Sequence, residues 1–320
     1  MKEPKKSTKI IEKYLSTPKM TPYIKVCGGD TDKAIVLYQL NIRLAVSFWT
    51  MLNIFEIALR NAIDAVLRAK FGDQWFESLK QLFKTESDKK LQQEAIKEGL
   101  QDLHKDYKHD EELNRICREI DSAIKNVKKD INKKKKEEIK KQERNKNKKS
   151  DYQLFEIIKE MQNENKIPTL TNDDVIKLHS NEIFVQFSFS FWVNLFNAEP
   201  YKHLNEILTV FPNKPNKPEN KKRKHIYDMA NNIRNFRNKI AHHESIIFVF
   251  DKNERKWSID TEKTRKVWDD LNHLLEYMDI DIYEYSKEAN LLHERIIDVE
   301  RFIEHIPLFL SMNNEDNKNT

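Results

Sequence analysis

Glycine is the most informative scarcity in this sequence. The chain of 320 residues contains four glycines, where average usage of about 7% would give roughly 22. Because glycine most readily forms tight turns and left-handed helix ends, few hairpins and few βα loops are expected. Gly28, Gly29, Gly72 and Gly99 also lack the spacing of a phosphate-binding loop or a dinucleotide fingerprint. The scarcity predicts an all-α fold and excludes enzymes that bind nucleotides through glycine-rich loops.

Cysteines and long apolar runs are scarce as well. Two cysteines, Cys27 and Cys117, cannot form a disulfide framework or a thiolate zinc site. The histidines are too scattered to predict a metal site, and no cofactor is expected. The longest uncharged stretch, residues 183–198, is too short to cross a bilayer, and no secretory apolar segment opens the chain. A cytoplasmic protein without a membrane partner is expected.

Charged residues are abundant and nearly balanced, with 57 basic and 52 acidic side chains. The run at residues 133–149 departs from this balance because lysine dominates it. Blocks of like charge repel and stay solvated, so the run predicts a linker or a solvated helix end. The alternative is a phosphate-binding arm for RNA that begins with Lys133, Lys134, Lys135 and Lys136. Three segments are therefore expected: an N-terminal helical region at 1–130, the lysine-rich segment at 131–150 and a C-terminal helical region at 151–320.

Apolar residues recur with helical spacing through most of the chain. The pattern between Thr31 and Gly72 predicts one very long helix or two helices that meet near Asn53. Phe187, Phe189 and Phe191 alternate with serines, which is strand-like over a few residues, and Phe191 to Phe196 could continue as helix. Residues 246–250 could pair with 257–259 in one short hairpin. The expected architecture is an all-α bundle with long helices and at most one short β-hairpin.

The residues best suited to catalysis or ligand binding lie near the end of a predicted helix at about His225–Ala241. Arg234, Asn238 and His242 are four residues apart, so they form a row well away from the apolar face of that helix. Such a row is expected to meet a partner surface or a charged ligand. The alternatives are that His242 and His243 favour the negative end of the helix dipole, and that Arg234 and Arg237 pair with acidic side chains. Five residues form the apolar face: Ile226, Met229, Ile233, Phe236 and Ile240.

Six stretches of the sequence occur in an order similar to that of a known protein family. The last of them contains Arg237-Asn238-Lys239-Ile240-Ala241-His242, which matches the Arg-x4-6-His motif of the HEPN superfamily of helical ribonucleases. Together they resemble the Abi-like family of bacterial abortive-infection proteins (AbiD/AbiF type) within that superfamily. The resemblance covers most of the chain and leaves the lysine-rich run outside. The stretches are Tyr38-Gln-Leu-Asn-Ile-Arg-Leu, Phe55-Glu-Ile-Ala-Leu-Arg-Asn-Ala, Phe71-Gly-Asp-Gln-Trp-Phe, Phe191-Trp-Val-Asn-Leu-Phe, Val210-Phe-Pro and Arg237-Asn-Lys-Ile-Ala-His-His-Glu.

The resemblance implies a HEPN-like helical bundle and a toxin-like endoribonuclease that acts in antiphage defence by abortive infection. It implies metal-independent cleavage of RNA by the ribose 2′-hydroxyl, with Arg237 and His242 as catalytic residues. Asn238, His243 and Arg234 would support them. It also implies a homodimer, because such nucleases commonly pair two motifs in one composite site. A regulatory small RNA or an antitoxin-like partner is a further possible partner.

Other interpretations of the same residues remain open. Leu59-Arg60-Asn61 echoes the Arg-Asn motif, but Ala65 stands where a histidine would be. Arg60 and Asn61 could border an RNA site. Alternatively, Arg60 could belong to an ordinary ladder of helix ion pairs four residues apart, formed by Glu56, Arg60, Asp64 and Arg68. The whole protein could also bind RNA without cutting it, or serve as an interaction subunit of a defence system.

Overall fold

The computed structural model describes residues 9–97, 111–147, 172, 175, 176, 179–281, 284, 289, 291–302 and 304. Most of them are helical, and the all-α prediction with one short hairpin is confirmed. The first helices, after a π-helical turn at Ile11–Leu15, are α1 (Thr17–Val26), α2 (Thr31–Phe71), α3 (Trp75–Lys97) and α4 (Glu111–Asn147). The short helices α5 (Ser180–Phe184), α6 (Phe189–Asn194) and α7 (Ala198–His203) come next, with a 3-10 turn at Asn205–Val210. The remaining elements are α8 (Glu219–Ala241), β1 (Phe248–Asp251), β2 (Lys256–Ile259), α9 (Glu262–Tyr277) and a helical segment at 291–302.

Two local expectations are resolved by these elements. Helix α2 runs without a break past Asn53, whose side chain is exposed and therefore interrupts no packing. The interpretation of the alternating phenylalanines as a strand is wrong, because Phe189–Asn194 is helical. The Ser188 hydroxyl caps this helix by accepting a hydrogen bond from the Phe191 N–H at 3.1 Å. A capping serine thus decided the conformation where side-chain periodicity was ambiguous.

Contacts divide the chain into two units that do not follow its order. The first unit comprises Met1–Leu59 with Val210–Thr320, and the second comprises Arg60–Thr209. This division differs from the consecutive segments expected at 1–130, 131–150 and 151–320. Composition marks the stretches that stay solvated, but it does not report which distant helices pack together.

The first unit is built around the apolar faces of α2, α8 and α9. Phe48 of α2 lies edge-on to Phe236 of α8 at 4.8 Å between ring centroids, and to Trp268 of α9 at 6.5 Å. Each fully buried aromatic or aliphatic side chain of this kind contributes about 1.5–3 kcal/mol. The predicted apolar face of α8 is confirmed, since Ile226, Met229, Ile233 and Phe236 are all buried and Ile240 is partly buried.

The second unit has an aromatic core at the junction of α2 and α3. The Trp75 indole N–H donates to Asp64 at 2.8 Å, and the same carboxylate accepts from Arg68 at 2.6 Å. This hydrogen bond with Asp64 is the largest cause of the raised pKa of Arg68. The predicted i, i+4 pairing is thereby confirmed for Asp64 and Arg68. Trp75 packs with Phe76, Phe187, Phe191 and Trp192.

The lysine-rich run is a helix end. Helix α4 continues to Asn147, so residues 133–147 are helical. Lys133 and Lys134 are exposed, while Lys135 and Lys136 are partly exposed. The C-terminal helical region was expected to begin with helix signals at Tyr152–Met161, which lie outside the described residues.

One helix among the described residues could cross a membrane by length and composition alone, namely Thr31–Phe71. The core helix of a soluble protein meets the same criterion. Leu37, Leu44, Phe48 and Phe55 of this helix are fully buried against protein, which is compatible with a soluble protein.

Both cysteines are expected to be unreactive in the folded protein. Burial raises the pKa of the Cys27 and Cys117 thiols to about 11. Because the thiolate is the nucleophile, only about a thousandth of each thiol is ionised at pH 8. We expect DTNB to modify neither cysteine in native protein at pH 8 within the time in which it modifies both in denaturant. Rapid modification of either cysteine in the native protein would contradict this burial.

Candidate functional site

The candidate site lies where α8 ends in a left-handed turn. His242 is the last residue before the turn, and His243 adopts a positive φ of 56°. The Glu244 N–H donates to the Lys239 carbonyl at 2.8 Å, and the His243 N–H donates to the Ile240 carbonyl at 2.9 Å. This pair of bonds is a Schellman motif, in which the left-handed position is usually glycine. The turn leaves both imidazoles exposed beyond the helix end.

The segment after this turn is held by two buried side chains from other helices. The Asn41 amide oxygen, on α2, accepts from the Ile246 N–H at 3.1 Å and from the Ser245 hydroxyl at 3.3 Å. The Thr264 hydroxyl, on α9, donates to the Ile246 carbonyl at 2.7 Å. Asn41 and Thr264 are 5% and 0% exposed, so water does not compete for these bonds. The direction in which the chain leaves α8 is therefore fixed.

Two cavities of about 540 Å³ each adjoin at the left-handed turn. They share three lining residues: Lys19, His243 and Glu244. The first, the histidine cavity, is lined by Pro18, Lys19, Pro22, Tyr23, Lys239, His242, His243, Glu244, Ser245, Phe248 and Trp257. The second, the apolar cavity, is lined by Lys19, Tyr38, Asn41, Ile42, Ala45, Val46, Trp49, Thr50, Ile240, Ala241, His243 and Glu244.

Aromatic rings form one wall of the histidine cavity. Tyr23 lies edge-on to Phe248 at 4.6 Å and to Tyr38 at 5.4 Å between centroids. Burial raises the pKa of Tyr23 to about 12, and a hydrogen bond with Ser245 opposes that shift. The phenol therefore stays neutral at physiological pH. Trp257, which is partly exposed, lies 6.2 Å from Phe248 and 4.8 Å from Phe250.

Arg237 lines neither cavity and faces α2 instead. Its guanidinium lies 5.2 Å from the centre of the Trp49 ring, and its Nε is 3.6 Å from Oε2 of Glu56. That separation is beyond hydrogen-bond range, so the contact with Glu56 is an electrostatic one. The Arg237 Nε is buried and has no hydrogen-bond acceptor among the described residues. The interpretation that Arg237 pairs with an acidic residue is thus confirmed, with Glu56 as that residue.

The other predicted residues divide between the two units. In the first unit, His242 and His243 are exposed, whereas Arg234 and Asn238 are partly exposed. The second unit contains the remaining candidates: Arg60, whose guanidinium lies 5.8 Å from the Phe184 ring centre, exposed Asn61, and Lys133, Lys134, Lys135 and Lys136 on α4. Among the described residues, no group of three or more His, Cys, Asp or Glu could hold a metal ion.

Several residues at the site were not predicted as functional. Lys19 and Tyr23 come from α1, Trp49 and Glu56 come from α2, and Trp257 comes from β2. Glu56 lies in one of the six family-like stretches and in the predicted ladder of ion pairs, but neither signal indicates Arg237 as its partner. The others reach the site through packing between segments that are distant in the sequence.

Comparison with known proteins adds no relative. No protein-family model matches this sequence, and neither a curated protein nor a solved structure matches it. The similarity to Abi-like proteins therefore stays a prediction that rests on the six stretches.

The two adjacent histidines are expected to respond oppositely to glycine substitution. Replacing His243 by glycine removes a Cβ from the left-handed region and should raise the free energy of unfolding by about 0.5–1 kcal/mol. Replacing His242, whose φ is −89°, should lower it by a similar amount, because glycine adds conformational freedom to the unfolded chain. Urea denaturation of the two variants measures both changes. Equal destabilisation by both would show that the turn is not strained at His243.

Proposed function

We propose that this protein is a HEPN-type, metal-independent endoribonuclease of the cytoplasm that acts as an effector of antiphage defence. One observation carries the proposal. Two exposed residues with imidazole side chains, His242 and His243, line a cavity at the end of α8 that Lys19 and Lys239 also line. Proton-transfer groups beside fixed positive charge are suited to cleaving a phosphodiester.

The reaction that fits these groups needs no water in its first step. The ribose 2′-oxygen attacks the adjacent phosphorus and loses its proton to a neutral imidazole. The bond from phosphorus to the 5′-oxygen breaks, and that oxygen receives a proton from a protonated imidazole. The products are a 2′,3′-cyclic phosphate and a 5′-hydroxyl, so atoms and charge balance. Histidine suits both transfers because it changes protonation near neutral pH.

A second copy of the chain is part of this proposal. Arg237 and His242 are five residues apart, so on a helix their side chains diverge by about 140°. Arg237 accordingly faces Trp49 while His242 lines the histidine cavity. A homodimer that brings Arg237 of one copy to His242 of the other would place guanidinium charge beside the phosphate that the ribose 2′-oxygen attacks. Asn238 and Arg234, partly exposed on the same helix, would orient that phosphate.

Binding of RNA without cleavage is the second candidate. The observation in its favour is the engagement of Arg237 by Glu56 and Trp49. If Arg237 is confined to that structural contact, the lysines and histidines can still hold phosphates, but no guanidinium stabilises the transition state. Affinity that falls steeply with salt, without any product, is the behaviour expected of such a protein.

Cleavage should depend on His242 and Arg237 and not on a divalent metal. In the presence of a chelator, wild-type protein incubated with cellular RNA should produce cyclic-phosphate ends. His242→Ala should lower the rate about 100-fold to 10,000-fold, as expected for loss of a general acid or base. Arg237→Ala should lower it about 100-fold to 1,000-fold through lost charge stabilisation. Analysis of the RNA ends measures both effects.

His273→Ala provides the matched control. His273 is exposed on α9 and lines neither the histidine cavity nor the apolar cavity, so this variant should cleave like wild type. Cleavage that survives His242→Ala unchanged would exclude the proposed mechanism. RNA binding with no cleavage by the wild type would leave the binding function.

Mixing subunits tests whether the site is composite. If each site takes Arg237 from one copy and His242 from the other, an equal mixture of Arg237→Ala and His242→Ala at constant total protein should recover about one quarter of wild-type activity after subunit exchange. Random pairing makes about half of the dimers mixed, and each mixed dimer has one intact site of two. Chains that act alone would recover no activity, because every chain lacks one of the two residues, so single-turnover cleavage by the mixture and by each variant alone distinguishes the two cases.

A further inference from the structure

The histidine cavity combines three features that one nucleotide of single-stranded RNA requires. Its volume of about 540 Å³ lies within the range of small-molecule pockets, roughly 300–1,000 Å³. One wall is aromatic, with Phe248 and Trp257 of the hairpin partly exposed. Lys19 and Lys239, which are both exposed, also line the cavity. We propose that the cavity is a nucleotide subsite, in which Trp257 stacks on a base and the two lysines bind its phosphate.

The hairpin keeps the indole ring in a fixed orientation. Trp257 pairs across the strands with Phe250, and the two rings lie 4.8 Å apart. Phe248 is braced in turn by Tyr23 of α1. A base that stacks on Trp257 therefore meets a surface that is already ordered, and little side-chain entropy is lost on binding.

The charges around the cavity favour an anionic ligand. Lys19 and Lys239 contribute two positive charges, and Glu244 is the single carboxylate among the lining residues. Glu244 can accept from the N–H groups on a base edge, which a lysine cannot do. A larger cavity of about 630 Å³ beside α9 has the opposite character, since Asp269, Glu276, Asp279 and Asp281 line it. A polyanion is repelled there and attracted to the histidine cavity.

This inference rests on the proposed function in one respect, namely that the bound nucleotide lies beside the bond that is cut. Histidines 242 and 243 line the same cavity as Trp257, so a base stacked on Trp257 would fix the adjacent phosphodiester next to the imidazoles. The hairpin would then position the nucleotide that is presented to the catalytic groups. Base recognition and proton transfer are thereby assigned to different elements of the first unit.

The test measures binding separately from cleavage. The probe is a short single-stranded oligonucleotide of mixed sequence with 2′-O-methyl riboses, which lack the attacking hydroxyl and cannot be cut by this mechanism. Binding to the full chain is followed by fluorescence anisotropy of a labelled probe over a range of salt concentrations. Trp257→Ala should weaken binding about 10-fold to 100-fold, as expected for loss of one stacked base, whereas Trp257→Phe should retain most of the affinity.

A lysine variant on α8 keeps the subsite testable if replacing Trp257 misfolds the hairpin. Lys239→Gln should reduce the slope of log affinity against log salt by about one, because one phosphate contact is lost. Lys221→Gln is its matched control, because Lys221 is exposed on the same helix about 27 Å away and should leave the slope unchanged.

The outcomes separate the subsite from the nuclease. Cleavage that depends on His242, together with unchanged probe binding by Trp257→Ala and Lys239→Gln, would overturn the subsite and leave the proposed function intact. Probe binding that depends on Trp257, with no cleavage of ordinary RNA, would support the subsite and overturn the nuclease. A wild-type protein that neither binds the probe nor cuts RNA would overturn both.

Discussion

Two buried hydrogen-bonding side chains fix the chain as it leaves α8, between the left-handed turn and the hairpin of the candidate site. Asn41 and Thr264 satisfy both the N–H and the carbonyl of Ile246. A hydrogen bond makes a net contribution of about 1 kcal/mol to stability, but a buried polar group left without a partner costs about 1–3 kcal/mol. The bonds therefore act mainly by excluding other paths for the chain. They hold the left-handed turn on one side and the start of the hairpin on the other, so the imidazoles and the aromatic wall keep a defined relation.

The elements of the fold were largely predictable because they follow from local patterns. The scarcity of glycine indicated helices, and the spacing of Ile226, Met229, Ile233 and Phe236 indicated the buried face of α8. The hairpin was predictable because its two short apolar segments flank a charged turn. The alternation at Phe187, Phe189 and Phe191 indicated a strand, but the Ser188 hydroxyl stabilises the first turn of a helix there. A single side-chain cap can outweigh a short periodic signal.

The site itself was only half predictable. The helix end with its two histidines follows from one segment, and its motif was visible in the sequence. Its surroundings were not visible, because Lys19, Tyr23 and Trp257 meet it through contacts between distant parts of the chain. Arg237 shows the same limit. The sequence left open whether Arg237 acts on a ligand or pairs with an acidic side chain, and the packing of α8 beside α2 places the Trp49 ring and the Glu56 carboxylate against it. Helical periodicity describes one helix and cannot specify which neighbour covers its flank.

The first unit is built from two parts of the chain that the ribosome synthesises at different times. Residues that precede Arg60 and residues that follow Thr209 together build this unit, and the histidine cavity takes side chains from both parts. At typical synthesis rates, residues 60–209 occupy the ribosome for on the order of 10–30 s. Throughout that interval the nascent chain carries Lys19 and Tyr23 but neither imidazole of the cavity. If the protein cuts RNA as proposed, it would acquire its two imidazoles only after residues 60–209 have been synthesised.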